Sequence, residues 1–396
     1  QEVLPSRQFE VKGFRNQVGQ GGLGAPVVIH MAPSVERKPL VMEGGETRTD
    51  PSQLHFPEDL YRAASVVLRP GRSAAEPPAV LELHDPVREP DMLWKPAPDA
   101  PGIPLAYDLT IGLARQLHER NLDLIGPLGV FFPSEYNGKT GIFMLDPYQP
   151  GKIPVVLVHG LMSSPLGWAN AMNELRGDPE LRKRFQFWMF FYSTGNPILS
   201  SGARLRQALQ TVHEEFDPND EDPAFDHMLV VGHSMGGLLS RLMISSSGTM
   251  LWDAAAKVPP ESIDLEPKLK QMLMDSMFFE PVPTVSRVVF ISTPHRGSPY
   301  GDELVGRLAS RLIRVPKEIV DIRAALAKLN GAEGVSEEFR GNRYATSVAQ
   351  LGQKNPVLQT IGRLPIKATV PYHSIVGFNG KTPLPKGGDG VVPYPS

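Results

Sequence analysis

Residues 228–243, MLVVGHSMGGLLSRLM, pass from one kind of order to another with no linker between them. Met228 to Val231 make a continuous apolar run of the kind a strand buried on both faces requires, and from Met235 onward the apolar residues fall at helical spacing. A strand that becomes a helix within so few residues must turn sharply, and the residue at the apex is driven into backbone space that only glycine visits freely. Gly232, Ser234 and Gly236 have the G-x-S-x-G spacing, with a serine at the apex and residues without side chains on either side, where neighbouring elements must approach. Such a turn is a candidate nucleophile elbow, which projects the Ser234 hydroxyl above the sheet at the positive end of a helix.

The surrounding chain has the alternation that such a turn needs. The runs GIFMLDPY, IPVVLVHG, FQFWMFFYS, HMLVVGHS, VSRVVFIST and HSIVGFNG read as strands; helical patterns lie over Asn170–Leu175, SSGARLRQALQTVHEEF and MGGLLSRLMISS. Strands alternating with helices predict right-handed crossovers and a mainly parallel sheet covered on both faces, so the fold class expected is α/β. Thr249–Val285 and Pro299–Pro371 interrupt the alternation and read as helical, lid-type insertions. Residues 1–105 differ: they are rich in proline and glycine, with strand-like runs at Pro26–Met31, Ser65–Arg69 and Ala79–His84. They read as a small β-rich accessory domain ending in a proline-rich linker, PDMLWKPAPDAPGIP, whose partner the sequence does not identify. A helix over Ala106–Asn121 then opens a second domain, 106–396.

Composition narrows the function classes. With 396 residues, 41% hydrophobic and 21% charged, the chain has material for a sizeable core in two or three domains. A formal charge of −3, with its charges scattered, leaves no electrostatic footprint for nucleic acid. The absence of cysteine excludes disulfides, thiolate metal sites and a cysteine nucleophile. No apolar run approaches the roughly 18 residues of a membrane-spanning helix.

A second stretch, VVLVHGLMSSPLGW, places a loop after His159-Gly160 at the carboxyl edge of the sheet. There the amide of Leu161 can face the same point as the amide of Met235, and two such donors form an oxyanion hole. Together with STPHRGS at 292–298, these motifs resemble the α/β-hydrolase superfamily, and within it bacterial lipases and esterases. The resemblance covers the chain from about residue 140 onward and implies an α/β-hydrolase fold, Ser234 as nucleophile, an oxyanion hole after Gly160 and an acid in a strand-end Asp-Gly turn. In KGGDGVVPYPS that acid is Asp389; Asp302 and Glu303 are the runners-up. An envelope or secreted location is a guess from the resemblance alone.

The chain order Ser, acid, His calls for a base after Asp389, where no histidine occurs. His159 reads as buried beside the oxyanion glycine and His233 as pointing away from the serine hydroxyl. His373 falls at the opposite edge of the sheet, and His295 alone stands at the right edge as a surrogate. The expectation is therefore a sequence truncated at its C-terminus, with the base beyond residue 396; a pseudoenzyme without a base is the alternative.

The leading reading is a serine carboxylic-ester hydrolase working through an acyl-enzyme, without an organic cofactor and with no metal site assigned, since no acidic cluster marks one. The apolar stretch LKQMLMDSMFF would favour a hydrophobic acyl chain, or else be ordinary core. Acyl transfer, thioester cleavage and lipid-anchor deacylation share this chemistry; a non-catalytic module binding an apolar ligand or a partner belongs to another class. Sequencing the natural reading frame past Ser396 separates the two classes: a histidine within a few tens of residues is expected of the enzyme, and a stop codon or unrelated sequence of the binding module.

Overall fold

A computed structural model describes residues 2–31, 40–41, 47–48, 60–71, 77–89, 93–95, 99–118, 140–298, 315–329, 346–381, 383 and 387–394. Contacts divide the chain into two compact units that interleave along the sequence: 1–122, 143–153 and 166–188 in one, 123–142, 154–165 and 189–396 in the other.

In the first unit the expected N-terminal strands form an antiparallel sheet of four: β1 (Glu2–Pro5), β2 (Ala25–Met31), β3 (Leu60–Pro70) and β4 (Ala79–His84), paired in that order. β3 begins earlier than its apolar run at Ser65–Arg69 suggests. Leu60, Ala63 and Ala64 are buried, and helix α1 (Leu109–His118) packs against the strand they lie on. The sequence LTIGLARQLH explains how α1 lies so close: Leu109, Ile111 and Leu113 are buried, and a Cβ at Gly112 would come within 2.8 Å of the Ala63 backbone nitrogen. The stretch read as a proline-rich linker folds back on itself, pairing Leu93–Trp94 with Ile103–Pro104, and the Trp94 indole donates to Glu82 at 3.1 Å. Residues 106–118, grouped by sequence with the second domain, lie in this first unit.

The remaining strands are β5 (Gly141–Met144), β6 (Ile153–Val158), β7 (Phe185–Phe191), β8 (Met228–His233), β9 (Val285–Ile291) and β10 (Tyr372–Ile375). They form one sheet in the order β5-β7-β6-β8-β9-β10, and β6–β8, β8–β9 and β9–β10 all pair in parallel. The α/β-hydrolase fold class therefore holds. β6 is buried from Pro154 to Val158, as its unbroken apolar run requires, and Trp188 and Phe190 of β7 are buried with it.

Helices fill the crossovers. α2 (Ala169–Gly177) and α3 (Pro179–Arg184) follow β6, and Asp178 caps α3 by accepting from the amides of Glu180 and Leu181, with Pro179 at the first helical position. Arg15 and Asn16 of the N-terminal segment dock on α2: the Arg15 amide donates to Asn170 and Asn173 donates to the Asn16 carbonyl, at 2.9 Å each. α4 (Ile198–Phe216) buries Leu205, Leu209 and Val212 on one stripe, and α5 (Met235–Leu242) follows β8 directly. The insertion at 249–285 contains α6 (Met250–Ala255) and α7 (Pro267–Met277). The described part of the later insertion contains α8 (Lys317–Leu329), α9 (Ser347–Gln350) and α10 (Pro356–Arg363). No described helix is long and apolar enough to cross a membrane.

Gly112→Ala is expected to lower the free energy of unfolding by about 1–3 kcal/mol through overpacking of α1 on β3. Urea unfolding of the variant beside the parent checks this, and equal midpoints would count against the close approach.

Candidate active site

Where β8 runs into α5, three backbones come within van der Waals contact. Ser234 takes φ 52° and ψ −121°, a conformation that costs a non-glycine residue on the order of 1–3 kcal/mol. Its amide stays in the sheet, donating to the Ile291 carbonyl at 2.8 Å, while its carbonyl starts α5 by accepting from Gly237 at 3.0 Å. The glycines on either side have distinct steric reasons. A Cβ at Gly232 would strike α5 at Gly236 and Gly237; one at Gly236 would strike the carbonyl oxygens of Val158 and His159. One at Gly237 would strike the Thr293 side chain.

The loop after β6 reaches the same point. A Cβ at Gly160 would lie 3.0 Å from the Ser234 Cβ and 3.1 Å from His233 Nδ1, so the absence of a side chain lets this loop touch the turn. Gly160 to Ser163 form a tight turn, closed by the Ser163 amide donating to the Gly160 carbonyl at 3.2 Å, with Met162 at φ 57°. The Met162 amide donates to Thr194 Oγ1 at 3.3 Å. Among the described residues neither the Leu161 nor the Met235 amide donates within the chain. Ser292, Met162 and Thr194 carry parts of this geometry that sequence reasoning misses. A positive φ at a serine or a methionine leaves no mark in composition.

Asp389 is held on the far side of β9. Ser292, at φ 46°, donates its amide to the Ile375 carbonyl at 2.8 Å and its hydroxyl to the Asp389 carboxylate. Asp389 Oδ1 accepts from the amides of Val391 and Val392 at 2.8 and 2.7 Å. The Ser298 hydroxyl donates to the Val391 carbonyl and ties the STPHRGS loop to the same turn. Burial pushes the Asp389 carboxyl up, but the two amides, the Ser292 hydroxyl and the nearby His233 outweigh it and hold it below the ordinary value. The carboxylate is thus kept ionised. Asp302 and Glu303 lie outside the described residues.

The histidines separate by environment. His159 is fully buried, stacked on Tyr192 at 4.5 Å, and its Nδ1 lies 3.1 Å from the Gly160 carbonyl. Desolvation lowers its pKa to about 4, against the Gly160 hydrogen bond and with help from His233. His295 packs edge-on against Phe290 at 4.6 Å; burial, then the Arg241 charge, lowers it to about 4. His373 contacts Arg287 at 2.6 Å and, contrary to the expectation of the opposite edge, lies level with Val289 and Val231, because its strand begins only partway along its neighbour. An edge of the His233 ring reaches solvent, yet desolvation beside Gly160 lowers its pKa and the Asp389 charge opposes the shift. The contacts of His159, His295 and His373 lie with Gly160, Phe290 and Arg287, not with the Ser234 hydroxyl. The structure thus brings Gly160, Leu161, Gly232, Ser234, Met235 and Gly236 to one point and sets Asp389 within electrostatic reach of its neighbour His233.

Residues 151–317, less than half of the chain, match the family model described as "Putative serine esterase (DUF676)". None of the curated proteins is a significant match. Among solved structures, the chain is similar to the lipase BlEst2 of Bacillus licheniformis in its mature form, with 18% identity and a TM-score of 0.33 over 60% of this chain and 71% of that one. The propeptide form of the same lipase gives 18% and 0.34 over 60% of this chain, which spans only 39% of that one. A structure described with carboxylesterases of the Thaumarchaeon Nitrososphaera gargenis gives 14% and 0.26 over 57% and 72%. The family match supports hydrolysis of an ester.

Because His159 is buried and neutral when folded, with a pKa of about 4 against an ordinary 6.5, the unfolded chain binds its proton first as pH falls. Stability present above pH 6.5 is therefore expected to decline from there to about pH 4, by an amount on the order of 3 kcal/mol for this one group. Urea midpoints across that range check it: His159→Gln should flatten the slope, and an unchanged slope would remove His159 as the cause.

Proposed function

We propose that the chain is a serine carboxylic-ester hydrolase that cleaves acyl esters through an acyl-enzyme on Ser234. The observation that carries this reading is the backbone of Ser234 itself, strained at the apex of a strand-to-helix turn that the Gly160 loop touches. Strain at a non-glycine persists only where the surroundings over-determine it, and here three glycine contacts hold it in place.

In the reaction Ser234 Oγ attacks the ester carbonyl and loses its proton to a base. The amides of Leu161 and Met235 receive the oxyanion of the tetrahedral intermediate in a site that needs no reorganisation. Collapse expels the alcohol, which takes the proton, and water repeats the sequence on the acyl-enzyme. Asp389, ionised and fixed by two amides, orients the base.

The acyl part is hydrophobic. A cavity of about 370 Å³ lies between α4, α7 and α8 of the second unit, lined by Pro197, Leu199, Met272, Leu273, Met277 and Ile322 among others. Contacts connect it with the oxyanion loop: Thr194 accepts from Met162 and from the Ser347 hydroxyl, and Gln350, at the cavity wall, accepts from the Ile198 amide at 2.6 Å. The stretch expected to be either lid or core serves both ends, since Leu273 and Met277 are buried in α7 and also face this cavity.

Hydrolysis of p-nitrophenyl acetate and laurate by the protein in its full natural length tests the reading. Ser234→Ala is expected to lower kcat by at least about 1,000-fold, Asp389→Asn by about 10- to 1,000-fold. Met272→Trp should reduce kcat/KM for the laurate far more than for the acetate. His295→Ala should keep activity, because that ring packs edge-on against Phe290. Full activity in Ser234→Ala would overturn the assignment.

A further inference from the structure

The crossover from α4 to β8 contains a cluster outside the site described above. One ring nitrogen of His213, one oxygen of Asp217 and one of Asp220 all lie within 4.8 Å of one another. His213 and Asp217 are one helical turn apart and stand at the C-terminal end of α4, where Asp217 follows the last helical residue. Asp220 comes round to meet them because the chain reverses over 217–220, with Asp220 at φ 55° and its amide donating to the Asp217 carbonyl at 3.2 Å.

Two polar atoms in this cluster lack partners. Asp217 is 4% exposed; its Oδ1 accepts from the amides of Glu221 and Asp222 at 2.7 and 3.1 Å, but its Oδ2 is buried with no donor. His213 Nε2 is 2.9 Å from Asp220 Oδ1, an ion-pair contact that is not a hydrogen bond, and is otherwise buried without a hydrogen-bond partner. A buried carboxylate oxygen without a donor costs on the order of 1–3 kcal/mol or more, so something other than a hydrogen bond from the chain is needed to satisfy it. A cation does this. It accepts a lone pair from each of the three atoms at once. Ligands about 2.0–2.2 Å from a zinc ion are spaced roughly 3–3.5 Å apart, close to the observed His213–Asp220 separation. Phe225, fully buried, stands edge-on to the His213 ring at 5.3 Å and fixes its plane.

We propose that His213, Asp217 and Asp220 bind one divalent transition-metal ion of the zinc class. One imidazole nitrogen with two carboxylates suits zinc or its first-row neighbours and not calcium or magnesium, which take oxygen ligands alone. The ion ties the end of α4 to the loop that leads into β8, the strand that ends at Ser234, and its role is structural.

The test is zinc chloride titrated calorimetrically into chelator-treated, dialysed protein of full natural length. One equivalent is expected to bind, with a rise in Tm on loading. Asp220→Asn changes an exposed side chain and should leave the fold intact, yet weaken binding at least about tenfold, as should His213→Gln. Asp226→Asn, in the same crossover but outside the cluster, and Ser234→Ala should bind as the parent does. Calcium should compete only weakly. No saturable binding by the parent would overturn the site in favour of a His213–Asp220 ion pair, and zinc bound equally well by Asp220→Asn and His213→Gln would place it elsewhere.

Discussion

The close approach of α5 to the ends of β6 and β9 governs much of what surrounds it. Backbone carbonyls of Val158 and His159 press on one side of the helix start, and Thr293 presses on the other, at separations that leave no room for a Cβ. Because the helix begins hard against both strands, Ser234 has no freedom to relax toward an ordinary φ. The loop after Gly160 can then reach the same point, held there in part by the Thr194 hydroxyl, which accepts from the Met162 amide. Rigidity here comes from steric exclusion, which is cheaper to maintain than a network of polar contacts in which every member must be satisfied.

The polar groups around this centre are treated in two ways. His159 and His295 are stripped of water and kept neutral, so they act as aromatic packing more than as bases. Asp389 is kept charged by amides and the Ser292 hydroxyl against the cost of burial. Charge is therefore confined to one side of the turn, and the apolar cavity lies elsewhere in the same unit, between α4, α7 and α8.

Much of this was legible in the sequence, for a reason that can be stated residue by residue. β6, β7 and β8 are buried on both faces and so are continuous apolar runs, and the glycines at 232 and 236 are demanded by backbone contacts that any such turn must make. What was not legible depends on tertiary context. The φ of Ser292 and Met162, the hairpin within the proline-rich stretch and the early start of β3 under α1 have no local signature. His213 and Asp217 are spaced as one helical turn, but only the fold shows that an Asp217 oxygen is buried without a donor.

The interleaving of the two units also governs how the chain can assemble. The first unit draws on 1–122, 143–153 and 166–188, so the chain leaves it and returns twice before it is complete. The N-terminal sheet can pair as soon as β4 exists, but the partners of Arg15 and Asn16 on α2 come more than 150 positions later. A ribosome would have to deliver the strand with the oxyanion loop before the N-terminal segment could finish docking. Long-range closure of that kind makes the first unit slow to nucleate.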